Sequence, residues 1–387
     1  MEKRKQIDEL YYIRALSALG ILIIHATGVF AVYSEFNSKA MYLGIFANQF
    51  FRFGSPIFMM ISGLVLFYNY RSMDEFNAKA FYKKKALYIL IPYIIWSAIY
   101  FGYRSYYGGI PFSFSQLILL SKEILIGTSY SHLYFIILIF QFYLILPLLI
   151  KYLAKPMKEK PIKLFIILFV FQGIILIYGR YFRDYNATGL VGIFNKYYWK
   201  SIFGWFFYFL TGGILGLHYE KIVEFIERHI KTISLIYILT TCLYLGQVYH
   251  NIWINKGREY YDNFGSIRPE TLIYAIASMP ILIWISRRMI GKFKLLKIFG
   301  TYSLGIYFAH PIILEEIKIK LFGRYPEALG YGRISSLVIL IGLVIISTFS
   351  VVLIIAASKY RWALLGRIPQ FKIKKELQTT QIKKSTN

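Results

Sequence analysis

Long apolar runs alternate with short polar segments along nearly the whole chain. An α-helix needs about 20 apolar residues to cross the hydrocarbon core of a bilayer, so the pattern predicts an all-α, polytopic membrane bundle of about ten transmembrane helices. The ten predicted spans are Leu10–Tyr33, Gly44–Tyr70, Ala86–Tyr106, Leu133–Leu153, Leu164–Gly179, Ile202–Leu217, Ile233–Tyr249, Leu272–Ile285, Phe299–Ile317 and Ile334–Ala357.

Lys and Arg are distributed unevenly over the polar segments. With the N-terminus in the cytosol, the inner segments hold 29 of the 45 Lys and Arg residues, the outer loops hold 14, and Arg14 and Arg52 lie inside spans. Cytosolic loops are enriched in these residues, so both termini are predicted to be cytosolic. We predict a membrane domain over residues 1–360 and a basic, partly disordered cytosolic tail over residues 361–387.

The composition agrees with a membrane protein. The chain has 387 residues, of which 57% are hydrophobic and 19% aromatic, and a formal net charge of +26. In a protein that binds nucleic acid, such a charge would lie on a soluble surface or in a tail, whereas here it lies in loops between spans. We therefore expect a multi-pass protein of the cell membrane, with membrane lipids and no nucleic acid as partners.

The first span carries Arg14 and His25, two side chains whose burial in the hydrocarbon core is energetically costly. Eleven helical residues bring them to one face, about 16 Å apart along the axis. A guanidinium near one membrane surface and an imidazole deeper on the same face suit a site that binds an anion at its mouth and moves a proton farther in. The structural alternatives are an arginine that reaches to lipid phosphates and a histidine that bonds across helices.

The second span, which runs antiparallel to the first, also carries a charged residue within an apolar run. It should place Arg52 near the depth of His25, and Ser62 with Gly63 near the depth of Arg14. A charge so deep must face protein or water, which makes Arg52 a candidate for stabilising negative charge during a reaction. The alternative is a buried acid partner. A close backbone approach, or a local break that lines a cavity, is allowed by Gly54, Pro56, Ser62 and Gly63.

Further candidate residues lie at the two membrane surfaces and in the ninth span. The inner-surface cluster of Lys83, Lys84 and Lys85 suits the phosphates of a cytosolic cofactor, or serves as a topology signal. His132 lies at the outer surface, and His310 lies within the ninth span just before a proline. Acids at outer span ends, including Glu270, are candidates to bind sugar hydroxyls or to cap helices.

The histidines show no metal-ligand spacing, so we predict no catalytic metal.

Five motifs occur in order along the chain: Arg-x10-His (Arg14 and His25), RFGSPIFMMISG from Arg52, a basic loop that runs into Ile91-Pro92-Tyr93, HLYFI from His132, and YSLGIYFAHP from Tyr302. With these motifs the chain resembles the acyltransferase-3 family. That family consists of multi-pass membrane acyltransferases, which move acyl groups, commonly acetyl from acetyl-CoA, onto sugars of surface polysaccharides and related envelope acceptors.

The resemblance implies His25 as the catalytic base, with Arg14 and Arg52 in the acyl-CoA and reaction site. Acetyl-CoA or another acyl-CoA is then the expected co-substrate, with Lys83, Lys84, Lys85 and Ser62 as further candidates for its site. The chain departs from the family where Tyr134 replaces a frequent Trp and where the basic loop has Lys instead of Arg. Lys offers a point charge rather than a bidentate fork for phosphates.

The expected function is the transfer of an acyl group, acetyl above all, to a hydroxyl of a cell-surface glycan or lipid-linked sugar. His132, Tyr134, His310 and Glu270 are the candidates for binding this acceptor. An acyl-enzyme intermediate on His25 or Ser62 stays open. A transporter or flippase of such a glycan is the alternative, because intramembrane Arg and His also line transport paths. The third option is a purely structural role in a glycan-synthesis complex, whose other members would then be its partners.

Overall fold

The computed structural model describes residues 4–111, 113–254 and 265–366, and the regular structure in these ranges is helical. The α-helices are α1 (Glu9–Tyr33), α2 (Lys39–Phe50), α3 (Gly54–Asn69), α4 (Ala78–Lys85), α5 (Ile91–Tyr107), α6 (Phe114–Ile126), α7 (Tyr134–Glu159), α8 (Pro161–Ile177), α9 (Gly189–Tyr197), α10 (Ile202–Leu217), α11 (Tyr219–Arg228), α12 (Ile230–Ile254), α13 (Pro269–Met289), α14 (Lys294–Thr301), α15 (Ser303–Ile317), α16 (Ile334–Ala357) and α17 (Arg361–Leu365).

The predicted helical membrane fold is confirmed. In the described ranges, eight helices are long and apolar enough to cross a bilayer, and a pair bent by 41°, Gly189–Lys200 with Ile202–Leu217, makes a ninth candidate. The eight are Glu9–Tyr33, Lys39–Asn69, Ala78–Tyr107, Tyr134–Glu159, Pro161–Phe182, Ile230–Ile254, Pro269–Met289 and Ile334–Ala357. These nine correspond to nine of the ten predicted spans. The side of the membrane on which the termini lie stays a prediction.

The remaining predicted span, Phe299–Ile317, is interrupted. Helix α14 ends at Thr301, Tyr302 has φ −97° and ψ 14°, and α15 begins at Ser303. Helix α15 continues as a π-helix over Lys318–Phe322, but this end carries Glu315, Glu316, Lys318 and Lys320, so the apolar stretch after the break is shorter than the ~20 residues of a span. The sequence alone did not reveal this break, because the segment is apolar on both sides of Tyr302.

The second predicted span is also interrupted, at the position of Arg52. Helix α2 ends at Phe50, the turn contains Arg52, and α3 begins at Gly54. In a continuous helix, the ring of Pro56 would clash with the carbonyl of Arg52 and its missing N–H would leave that carbonyl without its helical partner. The break removes this clash and places Arg52 in the turn between α2 and α3.

Helices α3 and α10 approach each other closely at glycines. A Cβ on Gly63 would overlap the carbonyl oxygen of Phe209, and a Cβ on Gly212 would overlap the carbonyl oxygen of Met60. Small residues allow such backbone contact between membrane helices, where dispersion forces rather than hydrophobic burial drive association. The predicted close approach at Gly63 is therefore confirmed, and α10 is the helix that it contacts.

Polar contacts tie the connecting segments together at the end of the bundle that the alternation of charges assigns to the cytosol. Arg4 pairs with Glu75, and the buried Glu9 accepts hydrogen bonds from Tyr219 at 2.6 Å and Arg287 at 3.0 Å. We call this the inner end, and the opposite one the outer end. Large apolar side chains such as Leu243 and Ile354 are exposed around the bundle, as expected for a lipid-facing surface.

The start of the predicted tail packs onto the bundle. Leu365 is buried, and the indole of Trp96 donates a hydrogen bond to the carbonyl of Leu364 at 2.9 Å. The rest of the predicted tail, residues 367–387, lies outside the described residues, so the proposed division at residue 360 stays a prediction.

Candidate active site

A cavity of about 1570 Å³ runs through the bundle, from Arg4 and Lys84 at the inner end to Arg183 and Arg268 at the outer end. It exceeds the roughly 300–1,000 Å³ of ordinary ligand pockets, so it has room for more than one substrate. Its described lining contains eight Lys or Arg side chains, namely Arg4, Lys5, Arg14, Arg52, Lys84, Lys85, Arg183 and Arg268. One carboxylate, Glu75, accompanies them, and it is paired with Arg4.

Helix α1 lines the cavity with one face. Tyr11, Arg14, Ile21 and His25 all contribute to the lining, at the spacing of a helical stripe. The predicted geometry is therefore confirmed: the guanidinium and the imidazole open into one space. Their chemical roles stay predictions.

His25 belongs to a group of three imidazoles in ring contact, which we call the histidine cluster (His25, His310 and His132). The ring centroids of His25 and His310 are 5.0 Å apart, and those of His310 and His132 are 5.4 Å apart. His25 and His132 line the cavity, whereas His310 is fully buried behind them. The sequence placed these residues on three separate spans, and the fold brings them together.

The hydrogen bonds of His310 fix its orientation. Its Nδ1 lies 3.1 Å from the carbonyl of Ile306, while its Nε2 and both ring nitrogens of His132 have no hydrogen-bond partner among the described residues. The hydroxyl of Tyr307, another cavity residue, donates to the backbone carbonyl of His132. His310 is thus placed to contact His25 rather than a substrate, and its predicted role as an acceptor-binding residue stays untested.

Arg52 is oriented by an amide side chain in the described part of the chain. Its guanidinium donates to Oδ1 of Asn48, and Nδ2 of Asn48 donates to the carbonyl of Ile24 at 2.7 Å, one residue before His25. Oδ1 of Asn48 also accepts from Gln49 at 3.1 Å, and Gln49 accepts from Tyr244 at 2.7 Å. Asn48 carries no charge, so its amide orients the guanidinium at the cavity without adding a negative charge of its own, which suits a group that stabilises developing negative charge.

Sequence analysis did not single out Asn48, Gln49 or Tyr244. Neutral amides and tyrosines are common in membrane spans, and the pattern gives no sign that they meet Arg52. The available signal was the amide pair Asn48-Gln49, which lies four and three residues before the intramembrane Arg52.

The three lysines of the inner-surface cluster differ in whether they line the inner mouth of the cavity. Lys84 and Lys85 line the cavity, whereas Lys83 is exposed outside it. The ammonium of Lys85 lies 4.3 Å from the ring centroid of Tyr143. Ser62 also lines the cavity, with its hydroxyl donating to the carbonyl of Phe58 at 2.9 Å. Of these predicted donor contacts, the structure thus brings Ser62, Lys84 and Lys85 to the cavity and leaves Lys83 outside.

The outer mouth is formed by two arginines, which the sequence marks only as loop charge, and by two aromatic residues that no sequence motif marks. Arg183, Tyr198, Trp199 and Arg268 line it, and Trp199 packs edge-on against Tyr134 with ring centroids 4.9 Å apart. Tyr134, a predicted acceptor contact, is therefore at the cavity.

The predicted acceptor contact Glu270 is not in the cavity lining. It pairs with Arg180 at 3.3 Å. In the described ranges no three His, Cys, Asp or Glu side chains form a group suited to a metal ion, and the prediction of a metal-free reaction stays open.

Comparisons with known proteins place the chain in a family. Two curated relatives share the same description, a probable poly-beta-1,6-N-acetyl-D-glucosamine export protein. The one from Staphylococcus aureus (strain MSSA476) is 26% identical over 80% of this chain and 83% of its own. The one from Staphylococcus epidermidis is 27% identical over 82% of this chain and 83% of its own. No solved structure matches significantly. A profile of the acyltransferase domain called Acyl_transf_3 matches residues 7–357, nearly the whole chain, and the protein belongs to this acyltransferase family.

Proposed function

We propose that the protein transfers an acyl group, acetyl in the simplest case, from cytosolic acyl-CoA to a hydroxyl of a cell-surface or envelope glycan. The observation that carries this proposal is the single cavity that reaches both ends of the bundle and exposes Arg14 and His25 to the same space. A donor from one side and an acceptor from the other can meet there without either crossing the membrane.

The charge of the inner mouth fits a polyanionic donor. CoA carries several phosphate charges, and Arg4, Lys5, Lys84 and Lys85 line the inner part of the cavity with one carboxylate among them. Like charges spread over a confined mouth raise the local concentration of an anion. Arg14 lies farther along α1, where the narrow pantetheine arm would pass toward His25.

The reaction follows from general base catalysis. His25 accepts the proton of the acceptor hydroxyl while its oxygen attacks the thioester carbonyl carbon. Arg52, fixed by Asn48, stabilises the negative charge that develops on the carbonyl oxygen. The carbon–sulfur bond then breaks, the thiolate of CoA takes the proton from His25, and the acyl ester leaves with the acceptor.

His310 supports His25 as a positioning residue. It packs against the His25 imidazole from the side away from the cavity and is itself held by the carbonyl of Ile306. A ring fixed from behind presents its nitrogens to the cavity in one orientation, which general base catalysis requires.

Export of a glycan is the second candidate function, and the descriptions of the staphylococcal relatives favour it. The two functions differ in their chemical consequence. In a deletion strain, an acyltransferase loss removes ester-linked acyl groups from the envelope glycan while the glycan still reaches the surface. A transporter loss removes the surface glycan itself. Glycan analysis that finds unchanged ester content and missing surface glycan would contradict the acyltransferase proposal.

A further inference from the structure

We propose that the outer mouth, formed by Arg183, Tyr198, Trp199 and Arg268, binds an acceptor that carries an anionic group next to the sugar that is acylated. The group is a carboxylate or a phosphate, either on the glycan itself or on its lipid carrier. This inference rests on the proposed function and names the chemical class of its acceptor.

The charge of the outer mouth is the first argument. The described segments 178–200 and 265–270 contain five basic residues and two acidic ones. One acid, Glu270, pairs with Arg180 at 3.3 Å, and the other, Asp184, is exposed and accepts the backbone N–H of Asn186 at 2.8 Å. The neighbouring segment 255–264 adds two basic and two acidic residues by composition, and thus no net charge.

The placement of Arg183 and Arg268 is the second argument. Both line the cavity that contains His25, and neither forms an ion pair with an acid in the described part of the chain. The guanidinium of Arg183 donates to the hydroxyl of Tyr185 through one terminal nitrogen, and it lies 4.1 Å from the ring centroid of Tyr185 and 5.8 Å from that of Tyr198. Its Nε is buried without a hydrogen-bond partner within the described ranges. Half-buried arginines without a carboxylate are costly, and a bound carboxylate or phosphate would satisfy their planar forks.

The aromatic side chains give the third argument. Trp199 is 37% exposed and packs against Tyr134, so its indole offers an apolar surface at the mouth. Such a ring suits the C–H face of a sugar, while the arginines beside it suit an anion. Cations are also unexpected at the outer end, because Lys and Arg concentrate in cytosolic loops. A topological role therefore does not account for these two arginines.

The test measures acceptor binding without a donor. The full-length protein in nanodiscs of uncharged lipid is titrated with a labelled galacturonate hexamer and an uncharged N-acetylglucosamine hexamer. A third arm measures the retention of undecaprenyl phosphate added to the nanodiscs. We expect wild type to bind at least one anionic probe more tightly than the uncharged hexamer. Arg183→Gln and Arg268→Gln should each weaken that binding about tenfold, the size of one charge-assisted hydrogen bond.

Two further variants serve as controls. Arg324→Gln removes a charge from an exposed outer loop beside Tyr325, outside the cavity, and should leave binding unchanged. Arg268→Lys keeps the charge but loses the planar fork, so it should bind less tightly than wild type and more tightly than Arg268→Gln, which separates loss of charge from misfolding. Dependence on the arginines for galacturonate assigns the anion to the sugar, and dependence for undecaprenyl phosphate assigns it to the carrier.

Three results would overturn the inference: binding of neither anionic probe, equal affinity for the uncharged hexamer, or affinity that both glutamine variants leave unchanged. These results differ from a failure of the proposed function. Arginine-dependent binding in a protein that never transfers an acyl group would defeat the acyltransferase proposal alone. Acyl transfer to the uncharged hexamer, indifferent to Arg183 and Arg268, would defeat this inference alone.

Discussion

The imidazole of His310 lies behind that of His25, with ring centroids 5.0 Å apart, and one ring is on the cavity wall while the other is fully buried. This contact joins α1 to α15, two helices that are far apart in the sequence. It makes His310 part of the support of the proposed base rather than part of the substrate-binding surface.

Replacement of His310 should therefore slow the chemical step and leave donor binding nearly intact. In His310→Ala the ring that packs against His25 is lost, so the orientation of the His25 imidazole is no longer fixed from behind. We expect kcat to fall about tenfold or more, with little change in the KM for acyl-CoA, as for the loss of an interaction made in the transition state. A rise in KM at constant kcat would instead assign His310 to binding.

The amide that holds Arg52 gives a second prediction. Asn48→Asp nearly conserves shape but places a carboxylate against the guanidinium, which offsets the charge that the reaction is proposed to use. It also removes the N–H donor to the carbonyl of Ile24, the residue before His25. The protein should fold, because an acid next to Arg52 forms an ion pair, while kcat falls about tenfold or more. Wild-type turnover in Asn48→Asp would show that the net charge of Arg52 plays no part in catalysis.

The inner lysines provide a matched pair. Lys84 lines the cavity and its neighbour Lys83 does not, although both lie in the last turn of α4. Lys84→Gln should raise the KM for acyl-CoA a few-fold, since an exposed charge pair is worth roughly 0.2–1 kcal/mol, and added salt should reduce the difference. Lys83→Gln should leave the KM unchanged. Equal effects of the two substitutions would indicate a general surface charge rather than a site.

The contact between α3 and α10 gives a prediction about stability. A methyl group on Gly63 would overlap the carbonyl of Phe209, so Gly63→Ala must push the two helices apart, at a cost of about 1–3 kcal/mol for overpacking. Gly173, in α8, has no neighbour within 4 Å of an added Cβ, and Gly173→Ala should be neutral or slightly stabilising. Thermal unfolding of the purified variants, followed by size-exclusion chromatography, compares them. Equal melting temperatures would contradict the close packing.

The sequence predicted the periodic features of the fold well. Hydropathy identified nine of the spans, and helical periodicity placed Arg14 and His25 on one face, because both depend on local spacing along one helix. A local break in the second span was one of the two alternatives that its glycines and Pro56 indicated, and the structure places that break at Arg52. The position of the break at Tyr302 was not predicted, because the hydropathy pattern does not mark it.

The composition of the site was predicted less completely, because most of it is made by contacts between distant segments. His25, His132 and His310 were recognised one by one, but their ring contacts depend on how α1, α15 and the turn before α7 pack. The support of Arg52 by Asn48 and the basic outer mouth depend on the same packing. Glu270 was predicted to contact the acceptor because it lies at an outer helix end. The fold instead pairs it with Arg180, a contact that the sequence does not show.

Transfer of label from radiolabelled acetyl-CoA tests the central claim most directly. Membranes that contain wild-type protein or His25→Ala are supplied with the donor, and base-labile label in the glycan fraction is counted. The account predicts transfer by wild type and a loss of at least about a hundredfold in His25→Ala, the usual contribution of a general base. Undiminished transfer in His25→Ala, or none in wild-type membranes that still export glycan, would contradict it.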